Sequence, residues 1–379
     1  MTVPLPATMM GVHLTGIGGL DKLVIKKELP VPAPSPDEVL IEVGACGLNN
    51  TDINTRTGWY SKSVTAETGQ GGSEGFSESG GNDSTWGGSG PTFPRIQGAD
   101  VAGYIVAAGA GVDSARVGER VLVDPWLRDP GDPDDRRRAG YLGSERDGGY
   151  AHYTTVPASN AFGIDTGLTN AELATFPCSY STGEYMLTRA RLREGETVLI
   201  TGASGGVGSG LVQLAKARNA KVIALAGKDK LGAVRELGAD AVISRNEPDL
   251  AGAITDALPG GEVDVVADIV GGENFPLLLE LLARGGRYVT SGAIAGPIVD
   301  LDLRTLYLKD LELWGATVMP RGIFKTLVAL IEQRKIRPLL AKTFALENIH
   351  AAQTEFLQKK HVGNFVVVPR DSSEYRSAR

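Results

Sequence analysis

The sequence predicts an α/β protein in which a doubly wound parallel sheet follows a β-rich domain. From about residue 196 onward, apolar strand-like runs alternate with helical segments, which is typical of a parallel sheet covered by helices on both faces. The first 160 residues instead contain short apolar or β-branched runs bounded by Gly, Pro or Asp. At 379 residues the chain is also too long for one compact core, so two domains are expected.

The elements follow in order along the chain. In the first part, "EVLIEVGACGL", "GADVAGYIVAAGAGV", "ERVLVDP" and "GGYAHYTTV" predict strands of a distorted barrel. In the second part, strands are predicted at "TVLIT", "KVIAL", "AVI", "VDVVADIV", "GRYVTSG" and "LELWGAT", with helices between them such as "FPLLLELLARG". The end of the chain predicts two helices and the strand "NFVVV", which favours a return to the first domain. We therefore expect domains over 1–160 and 161–319 and a C-terminal return over 320–379.

Two segments interrupt this pattern. Residues 61–92 are rich in Gly and Ser and have almost no apolar periodicity, so they predict a flexible surface insertion that buries little area. The alternative is a lid over a cleft, which Phe76 and Trp86 could anchor. Residues 124–149 carry many charges together with Pro and Gly, and they predict a solvated loop.

Composition excludes several classes of protein. The net charge of −7 gives no support for binding to nucleic acid or to a membrane surface. The N-terminus lacks the pattern of a secretory signal, and the sequence contains no apolar run of the roughly 18 residues needed to span a bilayer. The two cysteines, Cys46 and Cys178, exclude a disulfide framework and a four-cysteine zinc lobe. A cytoplasmic protein is expected.

The stretch "VLITGASGGVG" places four glycines between a predicted strand and a predicted helix. Glycine allows the tight turn and the close approach of a pyrophosphate, whose negative charge is stabilised by the helix N-terminus. Because a second strand follows at "KVIAL", the arrangement predicts a Rossmann unit that binds a dinucleotide. The residues expected at the dinucleotide are Gly202, Ala203, Ser204, Gly205, Gly206, Val207 and Gly208.

The end of the second strand indicates which dinucleotide is bound. An acidic residue there would hold the ribose 2′-hydroxyl and repel a 2′-phosphate. This chain instead reads "ALAGKDK", with Lys228 and Lys230 after the strand, and Arg245 follows the third strand. The nearby Asp229 lies between the two lysines, where it suits the first turn of a helix. We predict NADP(H), although each cation taken alone could be a solvated surface charge.

These motifs together resemble the medium-chain dehydrogenase/reductase superfamily over nearly the whole chain. The likeness is carried by "GLNNTDINTRTG", "PRIQGADVAG", "GASGGVG", "DVVADIVGG" and "KDLELWGA", and it is greatest to the zinc-independent quinone oxidoreductases and 2-enoyl thioester reductases. The resemblance implies an alcohol-dehydrogenase-like fold, with a GroES-like catalytic domain beside the Rossmann domain. It also implies an NADPH-dependent oxidoreductase acting on a small molecule, and a homodimer paired through the edge strand "LELWGATV".

The zinc-dependent members of this superfamily hold their catalytic metal with a cysteine, a histidine and a second cysteine or acid. In this chain the first two positions are Asn49 and Ala99, and only Cys178 resembles the third. One thiol with an amide and a methyl group cannot form a tetrahedral zinc site, so no metal is expected. Without a Lewis acid, hydride transfer to a quinone or an activated double bond is easier than oxidation of an alcohol.

The resemblance also implies which residues act on the substrate. Tyr60, in "DINTRTGWY", resembles the tyrosine that the enoyl reductases use as proton donor or enolate stabiliser, and Asn49 could form a hydrogen bond with the substrate oxygen. Either side chain could instead serve a loop or turn. The nicotinamide would be lined by Val270, Gly271, Ser291, Gly292, Ala293 and Asn364. Two other functions remain open, a zinc-type alcohol dehydrogenase with altered ligands and a non-catalytic, crystallin-like NADPH-binding protein.

Overall fold

A computed structural model of the chain describes residues 5–80, 90–258 and 262–370. Trp86, considered above as a lid anchor, lies outside the described residues. The strands are β1 (Thr8–Leu14), β2 (Leu23–Pro30), β3 (Glu38–Leu48), β4 (Arg95–Ile96), β5 (Asp100–Ala108), β6 (Arg120–Val123), β7 (Trp126–Leu127), β8 (Gly140–Tyr141), β9 (Tyr153–Pro157), β10 (Ala161–Gly163), β11 (Thr197–Ile200), β12 (Lys221–Ala226), β13 (Ala241–Ser244), β14 (Val263–Asp268), β15 (Leu282–Thr290), β16 (Glu312–Gly315), β17 (Leu340–Ala345) and β18 (Asn364–Val368).

The helices alternate with the strands in the second part of the chain. They are α1 (Asn50–Thr57), α2 (Asn170–Leu173), α3 (Pro177–Arg189), α4 (Gly206–Lys216), α5 (Leu231–Arg235), α6 (Leu250–Asp256), α7 (Phe275–Glu280), α8 (Leu303–Leu308), α9 (Arg321–Glu332) and α10 (Ile349–Leu357). In the parts of the chain that the structure describes, no helix is long and apolar enough to cross a membrane.

The first domain is built on a sheet of order β10-β6-β5-β3-β18-β17, with β9 also paired to β3. The central strand β3 is buried at nearly every position. It pairs with β5, β18 and β9, and most of its apolar side chains pack in the hydrophobic core of the first domain. A smaller sheet of order β2-β1-β4 closes one side. The predicted β-rich, GroES-like domain is therefore confirmed.

The second sheet has the order β13-β12-β11-β14-β15-β16, and all its pairs are parallel. Strands β11 and β14 are buried almost throughout, as expected for a sheet covered by helices on both faces. The chain runs from β11 outward to β13 and then crosses back to β14, so the direction of winding reverses between β11 and β14. Ligands of doubly wound sheets bind beyond the carboxyl ends of the strands at such a point. The predicted Rossmann sheet is confirmed.

The C-terminal part of the chain contacts both sheets. Helix α9 buries Phe324, Leu327 and Ile331 on one face and packs against α3. Strand β18 then pairs antiparallel with β3, and β17 pairs parallel with β18. The last described strands therefore belong to the first domain's sheet.

Part of the segment 61–80 is packed against the rest of the protein, so the expectation that it buries little area is wrong for residues such as Val64 and Thr68. The fully buried Arg56 guanidinium donates hydrogen bonds to the carbonyl oxygens of Gly18 (2.8 Å) and Gly72 (2.6 Å) and to Oε1 of Gln353 (2.8 Å). Glycine is needed nearby at Gly75, which has a φ of 85° and where a Cβ would lie 2.7 Å from the Cα of Gly18.

The same segment reaches the second domain. The Thr68 amide donates a hydrogen bond of 3.1 Å to the carbonyl oxygen of Ile294, which follows β15. The Trp59 indole donates to the carbonyl oxygen of Ala66 at 2.9 Å and holds the segment beside α1. Thr68 itself is only 4% exposed. Residues 64–72 therefore bridge the two domains, as the lid alternative requires.

Two further local expectations are corrected. The segment 124–149 is not simply solvated, because Trp126 and Tyr141 are buried with their ring centres 4.8 Å apart, edge to face. Strand β15 begins at Leu282, inside the stretch predicted to be helical. The predicted helix there ends early because "LARGGRYVT" pairs with β14 instead.

Candidate active site

Asn49, Asp100 and Cys178 meet where β3, β5 and α3 approach each other. The Asn49 side-chain amide nitrogen donates a hydrogen bond to Oδ2 of Asp100. The backbone N–H of Cys178 donates to the other carboxyl oxygen, Oδ1, at 2.5 Å. Asp100 is 1% exposed and Asn49 is half-buried. One carboxyl group therefore links three segments that are far apart in the sequence.

A second buried carboxyl, that of Asp52, lies on the other side of Asn49. It accepts hydrogen bonds of 2.9 Å from the backbone N–H of Asn49 and from the hydroxyl of Tyr150. Asp52 is the third residue of α1, so its carboxylate also caps the helix that begins after Asn49. Burial raises the pKa of Asp52 to about 6. Burial, with a contribution from the Asp52 charge, raises the pKa of Asp100 to about 8, so Asp100 is largely protonated at neutral pH.

Ser179, on α3, connects this cluster to strand β18. Its hydroxyl donates to Oδ1 of Asn364 at 2.9 Å and lies 3.2 Å from Oδ1 of Asn49. Asn364 is 4% exposed, and its amide nitrogen is buried without a hydrogen-bond partner among the described residues. The N–H of Gly363 donates to the carbonyl oxygen of Ser204 at 2.9 Å. The Asn364 side chain is therefore held beside the glycine-rich loop, with its oxygen nearest to Gly206.

The glycine-rich loop has the tight geometry that the sequence predicts. Gly202 has a φ of 58°, a conformation that favours glycine. A Cβ at Gly208 would lie 2.2 Å from the carbonyl oxygen of Gly202, and one at Gly206 would lie 2.3 Å from Oδ1 of Asn364. Helix α4 begins at Gly206, so its free N–H groups face the loop. These residues fit a dinucleotide pyrophosphate.

The residues predicted to line the nicotinamide follow the next strands at the same edge of the sheet. Val270 and Gly271 come after β14, where the buried carboxylate of Asp268 accepts their N–H groups at 2.9 and 3.1 Å. Ser291, Gly292 and Ala293 come directly after β15, and the Ser291 hydroxyl donates to the carbonyl oxygen of Ala316. The sequence did not predict Asp268, whose hydrogen bonds fix the turn after β14.

The three cations predicted at the ribose phosphate lie at the ends of β12 and β13, but they differ in environment. Lys228 and Arg245 are exposed, whereas Lys230 is half-buried. The Lys230 ammonium donates hydrogen bonds to the carbonyl oxygens of Lys359 and His361. Burial and the nearby Arg245 lower the pKa of Lys230. Lys230 therefore also holds the C-terminal loop, a contact that the sequence gave no sign of.

Tyr60 lies near the Asn49 cluster. It follows Gly58, which ends α1 with a φ of 77°, and its ring packs edge to face with Trp59 at 5.6 Å. Burial raises the pKa of the Tyr60 hydroxyl well above its usual range, opposed by a hydrogen bond from the Asn54 side chain. The Cys178 and Asp52 side chains are close enough to add to this shift. The phenol is therefore protonated at neutral pH and able to donate.

Comparisons with known proteins agree with this architecture. Residues 35–166 match the alcohol dehydrogenase GroES-like domain, and residues 206–333 match the zinc-binding dehydrogenase domain. The crystal structure of a candidate alcohol dehydrogenase from Sinorhizobium meliloti 1021 is 51% identical in sequence, with a TM-score of 0.88, over 97% of this chain and 98% of that one. The chain belongs to the medium-chain dehydrogenase/reductase superfamily.

More distant members of the superfamily carry different activities. An NAD-dependent alcohol dehydrogenase from Sulfolobus acidocaldarius is 28% identical over 90% of this chain and 95% of its own. A quinone oxidoreductase from Rattus norvegicus is 26% identical over 92% of this chain and 94% of its own. Membership makes this chain an oxidoreductase with an NAD(P)-binding Rossmann domain, and it leaves the branch and the substrate undetermined.

One of the two matching domains is described as zinc-binding, but the residues of this chain decide whether it can hold a catalytic zinc ion. Asn49 offers an amide whose nitrogen is bonded to Asp100, and Ala99 offers a methyl group. Of these three positions, Cys178 alone offers a thiol, and one such ligand does not make a tetrahedral zinc site. Among the described residues, no three His, Cys, Asp or Glu side chains are grouped so that they could hold a metal. These donors do not fit catalytic zinc.

Proposed function

We propose that the protein is a zinc-independent, NADPH-dependent reductase that transfers a hydride to a quinone or to an activated C=C bond of an enone or enoyl thioester. The observation that carries this proposal is that Asn49 and Cys178, which match the family's zinc-ligand positions in sequence, are joined by hydrogen bonds to Asp100. With no Lewis acid to stabilise an alkoxide, the substrate must delocalise its own developing charge. Quinones and conjugated carbonyl compounds do this.

The residues of the cleft have separate roles in this proposal. NADPH supplies the hydride when it is bound. The Tyr60 hydroxyl donates to the oxygen on which negative charge develops, and the half-buried Asn49 amide orients the same oxygen with its remaining N–H. Asp100 holds the Asn49 amide in place by accepting a hydrogen bond from its nitrogen, and the Ser179 hydroxyl, which donates to Asn364, lies 3.2 Å from its oxygen. The donors are therefore fixed before the substrate binds.

Preference for NADP(H) is supported by the charges beyond β12 and β13. The end of β12 carries Lys228 and Lys230 rather than a buried acid, and Arg245 is close enough to lower the pKa of Lys230. Because Lys230 also holds the C-terminal loop, Lys228 and Arg245 are the cleaner positions to test. Lys228→Ala with Arg245→Ala should weaken NADPH binding about 10- to 100-fold, as expected for charge-assisted hydrogen bonds, and should leave NADH binding unchanged.

The experiment that tests the reaction is a substrate panel followed by NADPH absorbance. Quinones, enones and enoyl thioesters are offered with NADPH or NADH, and alcohols are offered with the oxidised cofactors. Turnover of at least one acceptor with NADPH, by protein that elemental analysis shows to be free of stoichiometric zinc, is the expected result. Oxidation of alcohols alone, or one zinc per chain, would favour the altered alcohol dehydrogenase. Tight NADPH binding with no turnover would indicate a non-catalytic protein.

We also propose that the protein is a homodimer paired through β16, the edge strand of the parallel sheet. Its residue Leu313 is 37% exposed, and the preceding segment exposes Leu303, Tyr307 and Leu308 by 57% or more. An open strand edge beside an exposed apolar surface is a hazard for aggregation unless it is paired. Pairing of two copies across a two-fold axis would cover both features.

A further inference from the structure

The loop after α10, residues 359–364, lies against several parts of the proposed dinucleotide site. Lys230 donates hydrogen bonds to the carbonyl oxygens of Lys359 and His361, and the N–H of Gly363 donates to Ser204 in the glycine-rich loop. Lys359 has a φ of 52°, an uncommon conformation for a residue other than glycine. The loop is therefore held against both the glycine-rich loop and the residue that follows β12.

The Lys359 ammonium has an unfavourable environment. It donates to Oδ1 of Asn50 at 2.7 Å, and it lies 3.9 Å from the centre of the Phe356 ring. Asn50 is the first residue of α1, where the helix dipole repels a cation. The Lys230 ammonium is close enough to repel it as well. Burial and Lys230 lower the pKa of Lys359 to about 7.

The acids around Lys359 do not neutralise it. Glu355, on α10, forms an ion pair of 2.6 Å with Lys342. Within the described residues, the ion pairs of the protein include neither Lys359 nor Lys230. Another titratable group facing this loop is His361, whose pKa is lowered to about 4 by burial and by the two lysines. Burial and Arg245 lower the pKa of Lys230, and the charge of the neighbouring Asp229 opposes them. Among the described residues, no ion pair joins a carboxylate to either half-buried ammonium group.

A second observation fits an anion in the same region. The amide nitrogen of Asn364, 4% exposed, has no partner among the described residues, and it belongs to the side chain that touches Gly206. A phosphate group beside the loop would accept from this amide, from the first N–H groups of α4 and from an ammonium. It would also remove the repulsion between Lys359 and Lys230.

We propose that Lys359 binds a phosphate group of the dinucleotide, together with the Asn364 amide and the glycine-rich loop. This inference rests on the proposed binding of NADP(H), and it adds a phosphate ligand from the far end of the chain. Because an anion favours the charged ammonium, binding of the dinucleotide above neutral pH takes up a proton at Lys359. The uptake should be larger at pH 8 than at pH 6, where the Lys359 ammonium is already charged before the dinucleotide binds.

The test is isothermal titration of the full-length protein with NADPH and with NADH, in buffers of different ionisation enthalpy. Lys359→Met keeps the apolar stem and should weaken NADPH binding about 10- to 100-fold and abolish the proton uptake. The matched control is Lys360→Met, because this neighbour is exposed and should leave both values unchanged. Lys359→Arg should keep most of the affinity but lose the proton uptake, since arginine is always charged.

The two dinucleotides distinguish the phosphate groups. An equal loss for NADPH and NADH in Lys359→Met assigns Lys359 to the pyrophosphate, and a loss for NADPH alone assigns it to the 2′-phosphate. Unchanged affinity for both, in a variant with wild-type thermal stability, would overturn the proposal. So would proton uptake in Lys359→Arg that equals the uptake of the wild type. Failure of the proposed function would be seen in the wild-type protein instead. If the preference for NADPH is wrong, the wild type binds NADH equally well, and if the proposed reaction is wrong, the wild type shows no turnover.

Discussion

Replacement of Asp100 by asparagine should make the protein more stable at alkaline pH. Asp100 is 1% exposed, and burial with the nearby Asp52 raises its pKa from 3.8 to about 8. The pKa of Asp100 is higher in the folded protein than in the unfolded chain. The stability linked to its protonated carboxyl is therefore fully present below about pH 4, falls as pH rises from there, and is lost once pH has passed 8. Between pH 5 and pH 9 this loss amounts to about 4 kcal/mol. Asparagine has no charge to bury and should not show it.

The assay is urea unfolding of the wild type and of Asp100→Asn at several pH values between 5 and 9. As pH rises, the free energy of unfolding of Asp100→Asn should increase relative to that of the wild type, by up to about 4 kcal/mol. The new amide can accept from the Cys178 N–H and donate to Asn49 Oδ1 once the Asn49 amide rotates. Asp37→Asn, at an exposed site, serves as the control. Parallel pH profiles for wild type and Asp100→Asn would refute the reasoning.

Three further predictions concern catalysis, the insertion and assembly. Tyr60→Phe should lower kcat and kcat/KM for enones together by about 100-fold while NADPH binding persists. Tyr307→Phe, at an exposed position, should leave kcat unchanged. Unchanged turnover in Tyr60→Phe would remove Tyr60 from the mechanism. Thr68→Pro removes the N–H that binds the carbonyl oxygen of Ile294 and should raise KM without changing NADPH affinity. Thr68→Ser keeps both that N–H and the hydroxyl, which lies 3.5 Å from the same oxygen, and should behave like the wild type. Equal KM values for Thr68→Pro and the wild type would show that the bridge does not act on the substrate. Light scattering should give twice the chain mass of 39.8 kDa for the wild type. The double variant Leu308→Lys with Leu313→Lys should have the mass of a monomer. A wild-type protein that is a monomer would contradict pairing through the edge strand.

The glycine-rich loop was predictable because its function depends on backbone geometry that few residues other than glycine can adopt. Gly202 needs a positive φ and Gly208 has no room for a Cβ, and both constraints can be recognised in a single line of sequence. The strands around the loop were predictable for a similar reason, since buried parallel strands are apolar at nearly every position.

The Asn49 cluster was predictable only in part. The sequence showed that the family's zinc ligands are missing at Asn49 and Ala99, but not that Asp100 would bond to Asn49 and to the Cys178 backbone. Those residues are far apart in the chain, and the bonds depend on how β3, β5 and α3 meet. Lys359 was missed for the same reason, because its partners Asn50 and Lys230 lie in other elements.

The insertion shows where compositional reasoning fails. Low apolar content predicts flexibility, yet the main chain of residues 61–80 accepts hydrogen bonds from Arg56 and Trp59 and donates one, from Thr68, to the carbonyl oxygen of Ile294. Glycine is usually counted as a flexible residue, but Gly75 has a φ of 85°, and a Cβ there would lie 2.7 Å from the Cα of Gly18. Hydrophobic periodicity does not detect contacts made by the main chain.

The contact of Asn364 with Ser179 and the glycine-rich loop has a consequence for partial unfolding. Asn364 begins β18, which pairs with β3 in the first domain, whereas the glycine-rich loop follows β11 of the parallel sheet. The parallel sheet does not include β18, so it does not need this strand for its own pairing. Local opening that frees β18 would therefore take the Asn364 side chain away from the candidate dinucleotide site while the parallel sheet stays folded.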